Sequence, residues 1–187
     1  DLDGRVEMII DGGFSAIGLE STIIDLSEGE PMILRPGYVT QEKMTQVIGN
    51  VDVDRTILDA SSKQAPKAPG MKYRHYAPKG NLTIVEGPQE KVTACINEKL
   101  SEGHKQGLKT GVIATDETIE QYQADVKRSL GSRKNEEAIA HHLFEVLRQM
   151  DDEEVQLIFT ESFAETGLGQ ATMNRLLKAA GHQVISL

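Results

Sequence analysis

The chain has 187 residues, 39% hydrophobic and 26% charged, with a formal net charge of −9. That composition is ordinary for a globular protein and leaves room for one domain, or a small domain plus part of another. The acidic balance argues against broad electrostatic binding to nucleic acid, and no apolar run reaches membrane-spanning length.

The polar, acidic N-terminus is unlike a secretion signal. A single cysteine, Cys95, excludes an internal disulfide and makes a reducing cytoplasm the expected location. Its neighbours, VTACINEKL, predict a helix, where a buried thiol is the reading to expect rather than a nucleophile.

The first sixty residues read as part of an α+β domain. RVEMIIDGG (residues 5–13) predicts a strand ending in a Gly12-Gly13 turn, STIIDLS (21–27) a second strand and EPMILRPG (30–37) a third. TQEKMTQVIG (40–49) predicts a short helix capped at Thr40. Three strands and one helix are too few to bury an independent core, so this piece is expected to be the end of a domain that begins earlier. Ser21 and Thr22 follow a Gly-rich turn, where their hydroxyls can face a ligand or simply cap the strand. Arg35 ends a strand before Pro36-Gly37, where its guanidinium can take two phosphate oxygens or form a surface ion pair.

APGMKYRHYAPKG (68–80) crowds two prolines, two tyrosines, a histidine, an arginine and two lysines into one stretch without an acidic residue. Pro69 and Pro78 forbid a helix or a central strand. Residues 60–80 carry a charge of +5, against −6 for residues 81–187. Cationic and aromatic groups on an ordered loop suit an anionic, partly aromatic ligand such as a nucleotide; a basic interdomain connector is the plainer reading.

Beyond residue 80 the pattern alternates regularly. NLTIVEG, KTGVIAT, ADVKRSLG, VQLIFT and QVISL predict strands; helices are expected over about 89–102, briefly after Thr115, over 135–150 and over about 168–180. Asn135 is a suitable N-cap, Ile139, Leu143, Val146, Leu147 and Met150 share one helical face, and Gly181 stops the last helix. Alternating strands and helices predict a three-layer α/β unit with a parallel sheet. Its first strand-to-helix turn, EGPQE, lacks the usual phosphate-cradling glycines. The Gly-rich start of TGLGQATMNR (166–175) can hold an anion or serve as a tightly packed helix start. His141 and His142 diverge on their helix and cannot share a metal, and His104 and His182, beside turn glycines, are expected to be solvated.

In combination, GLESTIIDLS, ILRPGYVT, APGMKYRHYAPKG, NEEAIAHHLFEVLRQMD and GLGQATMNRL resemble the C-terminal half of the two-domain threonylcarbamoyl-AMP synthase family. The resemblance implies three parts. Residues 1–59 correspond to the C-terminal part of a YrdC-type catalytic domain, 60–80 to a linker that closes over the active site, and 81–187 to a Rossmann-like accessory domain. The implied reaction condenses L-threonine, bicarbonate and ATP, with Mg²⁺, into threonylcarbamoyl-AMP and pyrophosphate. A transferase complex downstream then modifies tRNA; direct tRNA binding by this chain is left open.

By motif, the resemblance implies Arg35, Tyr73 and His75 as ATP contacts and Ser21 and Thr22 as threonine or adenylate contacts. Arg74 and Tyr76 are further linker contacts, and no general base or protein-held metal is assigned. The family's N-terminal half carries a K-x-R phosphate motif and an S-P-S-A-N ligand motif, and that half is not in this chain, so the chain alone is expected to be inactive. The alternative is a nucleotide-binding or regulatory module without catalysis.

Overall fold

A computed structural model describes residues 2, 4–13, 17–27, 29–54, 76–164 and 166–187. Two sheets organise the chain: a small mixed sheet formed before residue 55, and a five-stranded, all-parallel sheet formed after residue 80.

In the small sheet, β1 (Ile23–Asp25) pairs antiparallel with β2 (Met32–Arg35), and β2 pairs in parallel with β3 (Asp52–Val53). Helix α1 (Gln41–Ile48) lies between β2 and β3 in sequence, and Thr40 caps it by accepting from the Lys43 amide at 3.4 Å. No residue of α1 is buried. The strand expected over residues 5–13 does not form. Residues 4–7 turn, and 8–13 run irregularly, with Asp11 accepting from the Gly13 amide at 2.8 Å. Met8, Ile9 and Ile10 are exposed. Strand propensity alone makes no strand; a ladder partner is required, and none is present among the described residues.

In the large sheet the strands are β4 (Asn81–Glu86), β5 (Thr110–Ala114), β6 (Val126–Ser129), β7 (Leu157–Glu161) and β8 (Val184–Ser186), ordered β6-β5-β7-β4-β8. Parallel strands need crossovers; three of the four connections run through α-helices, α2 (Gln89–Lys105), α3 (Glu136–Asp152) and α4 (Gly167–Ala179), and the β5–β6 connection does not. The helix expected after Thr115 is one 3₁₀ turn, Ile119–Gln121.

Strand alternation sorts side chains between two cores. Leu82, Ile84, Ile113 and Ile158 face α3 and α4, while Val85, Val112 and Phe159 face Val92, Ile96 and Leu100 of α2. All five residues of the expected α3 face are buried, and Asn135 accepts from the Ala138 amide at 3.0 Å. Gly181, at φ 58°, ends α4 as expected, with its amide donating to the Lys178 carbonyl at 3.1 Å. Among the described residues no helix is long and apolar enough to cross a membrane.

Candidate functional site

The β1–β2 corner brings three of the candidate residues together. Ser21 and Thr22 lead into β1, Arg35 ends β2, and Ile23 lies opposite Arg35 in the ladder. The Arg35 Nε donates to the Ser21 carbonyl at 3.0 Å. Among the described residues, its two terminal nitrogens carry no hydrogen bond. Thr22 Oγ1 donates to the Val39 carbonyl at 2.9 Å, which fixes the hydroxyl's direction, and Ser21 stays exposed.

The glycine of ILRPGYVT has a physical reason to be there. A Cβ on Gly37 would lie 2.5 Å from the Glu20 carbonyl oxygen and 2.6 Å from the Thr22 nitrogen. The Pro36-Gly37 turn therefore rests directly on the backbone that carries Ser21. Gly18 makes a similar approach on the other side, where a Cβ would stand 2.6 Å from the Cα of His141 on α3. The GLEST segment lies between its own sheet and the helices of the larger domain.

A buried ionic contact completes the corner. Arg175 of α4, 4% exposed, pairs through Nε with the Glu20 carboxylate; its Nη2 donates to the Pro36 carbonyl at 3.1 Å and its Nη1 to Asn174 Oδ1 at 2.7 Å. One turn further, burial pulls the Lys178 ammonium down to about 8, with the nearby Arg175 and Arg35 charges adding to the shift and Glu20 opposing it. The corner is thus cationic, and its one carboxylate is already paired. These side chains do not fit a Mg²⁺ ion, which would have to come with nucleotide phosphates. Among the described residues no three potential ligands gather at metal-binding distance.

Of the linker candidates, Tyr73, Arg74 and His75 lie outside the described residues. Tyr76 has φ 56° and packs its ring on Phe144 of α3, centroids 4.4 Å apart. Phe144, His141, Arg148 and Asp152 of α3 also line a cavity of about 600 Å³ together with Asp11, Gly13 and Gly18. This cavity borders the corner through Gly18 but is not lined by Ser21, Thr22 or Arg35.

At the start of α4 the structure favours the tightly packed helix start over the anion site. The amides at the start of α4 face no open anion site: Leu168 and Gly169 donate to Glu136 Oε2 at 3.1 and 3.2 Å, so an internal carboxylate occupies the helix N-terminus. His104 is exposed, as expected, and is bonded as well. It lies in the last turn of α2 and bonds through Nε2 to Thr110 Oγ1 at 2.8 Å and Asp125 Oδ2 at 3.1 Å.

Sequence reasoning also missed a network at the carboxyl ends of β4 and β7. These neighbouring strands feed helices on opposite faces, and such a switch point forms a crevice in parallel sheets. Glu161, 1% exposed, accepts there from Tyr122 Oη at 2.6 Å, Gln89 Nε2 at 2.8 Å and Arg133 Nη2 at 2.5 Å. Burial, then the bond to Glu161, pushes the Tyr122 hydroxyl above its usual range.

The fold defines a class: a Rossmann-like domain joined to a small mixed sheet that carries a Ser/Thr/Arg corner. The family model of the threonylcarbamoyl-AMP synthase C-terminal domain matches residues 39–181. The threonylcarbamoyl-AMP synthase of Bacillus subtilis (strain 168) is 44% identical over 185 residues, covering 99% of this chain and 52% of the relative. That of Pyrococcus abyssi is 44% identical over 187 residues, covering 100% of this chain and 53% of the relative. The crystal structure of Pyrococcus abyssi Sua5 complexed with L-threonine superposes with a TM-score of 0.88 at 44% identity, covering 100% of this chain and 53% of that one. The chain belongs to the threonylcarbamoyl-AMP synthase family, and it spans about half the length of these relatives.

Proposed function

We propose that these residues form the C-terminal half of an L-threonylcarbamoyladenylate synthase, which makes threonylcarbamoyl-AMP and pyrophosphate from L-threonine, bicarbonate and ATP for tRNA modification. The amine of threonine adds to the carbon of bicarbonate, a C–O bond breaks and water leaves, giving an anionic carbamate. A carbamate oxygen attacks the α-phosphorus of ATP, the bond to the β-phosphate bridging oxygen breaks, and pyrophosphate leaves. The nucleophile is already anionic, so positioning and charge neutralisation carry the step. Arg35 meets the phosphates, Ser21 and Thr22 hold the threonine or adenylate part, and Tyr73, Arg74, His75 and Tyr76 belong to a segment that closes over the reactants and excludes water.

The observation that carries this reading is the Arg35 geometry: one guanidinium nitrogen tied to Ser21, the two others without a hydrogen bond among the described residues. An arginine held in this way offers a planar fork to two phosphate oxygens. The L-threonine complex of the Pyrococcus abyssi relative supports threonine as a ligand of the same family. The exposed apolar residues Met8, Ile9 and Ile10 fit a face covered by the half of the relatives that this chain does not span.

The test is pyrophosphate release by the complete protein, supplied with L-threonine, bicarbonate and ATP. Activity dependent on all three substrates, lowered about a hundredfold or more by Arg35→Ala, is the expected result. The 187 residues alone are expected to give none, and turnover by them would overturn the half-enzyme reading.

A further inference from the structure

We propose that Arg175, on α4 of the Rossmann-like domain, is a positioning residue for the adenylation site, setting Ser21 and Arg35 in register through Glu20 and Pro36. The inference rests on the function proposed above. It gives the accessory domain a direct part in building the ligand site rather than only a tether to it.

Arg175 closes a ring of links between the two segments. Arg175 Nε binds the Glu20 carboxylate, and Glu20 is bonded in the chain to Ser21. The Ser21 carbonyl accepts from Arg35 Nε at 3.0 Å, Arg35 precedes Pro36, and the Pro36 carbonyl accepts from Arg175 Nη2 at 3.1 Å. Ser21 and Arg35 are thus each next in sequence to a residue gripped by the same guanidinium. The remaining nitrogen, Nη1, is held by Asn174 at 2.7 Å, so the fork cannot swing toward another partner.

Burial and packing make the ring stiff. Arg175 is 4% exposed, and the side chain of Glu20 27% exposed, so their attraction is screened far less than that of a surface pair. Gly37 presses the Pro36 turn onto Glu20 and Thr22, and Gly18 presses the same segment onto α3. Lys178, on the same helix and 8% exposed, adds positive potential within reach of Arg35. A lysine at 175 could keep the charge but could not reach a carboxylate and a carbonyl in two separate segments with fixed geometry.

An ordinary interface ion pair would hold the domains together and do nothing else. The two roles separate in kinetics. If Arg175 only stabilises, its loss lowers the folded fraction and the apparent kcat but leaves KM for both substrates unchanged. If it positions Ser21 and Arg35, the KM values for L-threonine and ATP rise in protein that is still folded. Displacements of about 1 Å at a reacting centre cost on the order of a hundredfold in rate.

The experiment uses the complete protein and compares wild type, Arg175→Lys and Glu20→Ala by steady-state kinetics in both substrates, with a thermal melt of each. Arg175→Lys is expected to retain a cooperative melt and to lose about ten- to a hundredfold in kcat/KM, with both KM values raised. Should Arg175→Lys fail to fold, Glu20→Ala decides, with an expected loss of at least about fivefold carried by KM. Wild-type KM values in the folded variant overturn the positioning role. A wild-type complete protein that makes no threonylcarbamoyl-AMP counts instead against the functional reading on which the inference rests.

Discussion

The two sheets are built from similar kinds of residue and reach opposite outcomes. The five-stranded sheet is covered on both faces, and nearly all of its large apolar side chains are buried in two cores. The three-stranded sheet has a core centred on Leu34, a helix with no buried residue, and exposed Met8, Ile9, Ile10, Leu26 and Val47. Among the described residues the small sheet has little core of its own, and it is braced by contacts with α3 and α4 through Gly18 and Arg175. The candidate ligand residues lie on the dependent region, and the brace lies on the self-sufficient one.

The strongest way to break this comparison is to separate the regions. Residues 80–187 are expected to fold alone with a single cooperative melt, and residues 1–54 to show no cooperative transition by circular dichroism. A broad, non-cooperative melt of 80–187 sinks the claim of independence. Next in size are truncations within each region. Leu143→Ala removes a fully buried side chain of α3 and is expected to cost about 2–5 kcal/mol in denaturant unfolding. Val47→Ala, 83% exposed on α1, is expected to stay within about 0.5 kcal/mol.

A finer cut goes to the corner itself. Gly37→Ala would bring a Cβ against the Glu20 carbonyl and the Thr22 amide, with an expected cost of about 1–3 kcal/mol. In the complete protein it should also raise KM for threonine, because Ser21 and Thr22 must shift; an unchanged KM and melt would show that the turn has room. The smallest effect is electrostatic. Lys178 in the fold titrates near 8, below the ordinary lysine value of 10.5. Between those values the unfolded chain binds a proton that the folded chain has released, so stability rises with pH through that window and the gain is absent below about 8. Tyr122 acts with the opposite sign above its ordinary value of 10.0, so melts between pH 8 and 10 read Lys178 most cleanly. In Lys178→Met the rise should disappear, and a rise that persists would assign it elsewhere.

Local signals were enough for the larger domain. Its five strands, three long helices, the Asn135 cap and the buried α3 face follow from hydrophobic period and turn chemistry, which depend on residues only a few positions apart. The same signals failed over residues 5–13, because a strand needs a ladder partner that local sequence does not specify. They gave no sign of the bonds that the exposed His104 makes to Thr110 and Asp125, and they left the start of α4 open, where Glu136 approaches from 33 residues away in the case of Gly169.

What the sequence determined by itself is the family, the three-layer class of the larger domain, and a short set of candidate residues on recognisable motifs. Only the tertiary structure decided how those residues meet. It tied Arg35 to Ser21, set Gly37 against Glu20, and brought Arg175 across 155 positions of chain to Glu20. The physical reason is one of range: periodicity and capping act within a few residues, whereas the guanidinium's partners are chosen by which surfaces the two sheets bury against each other.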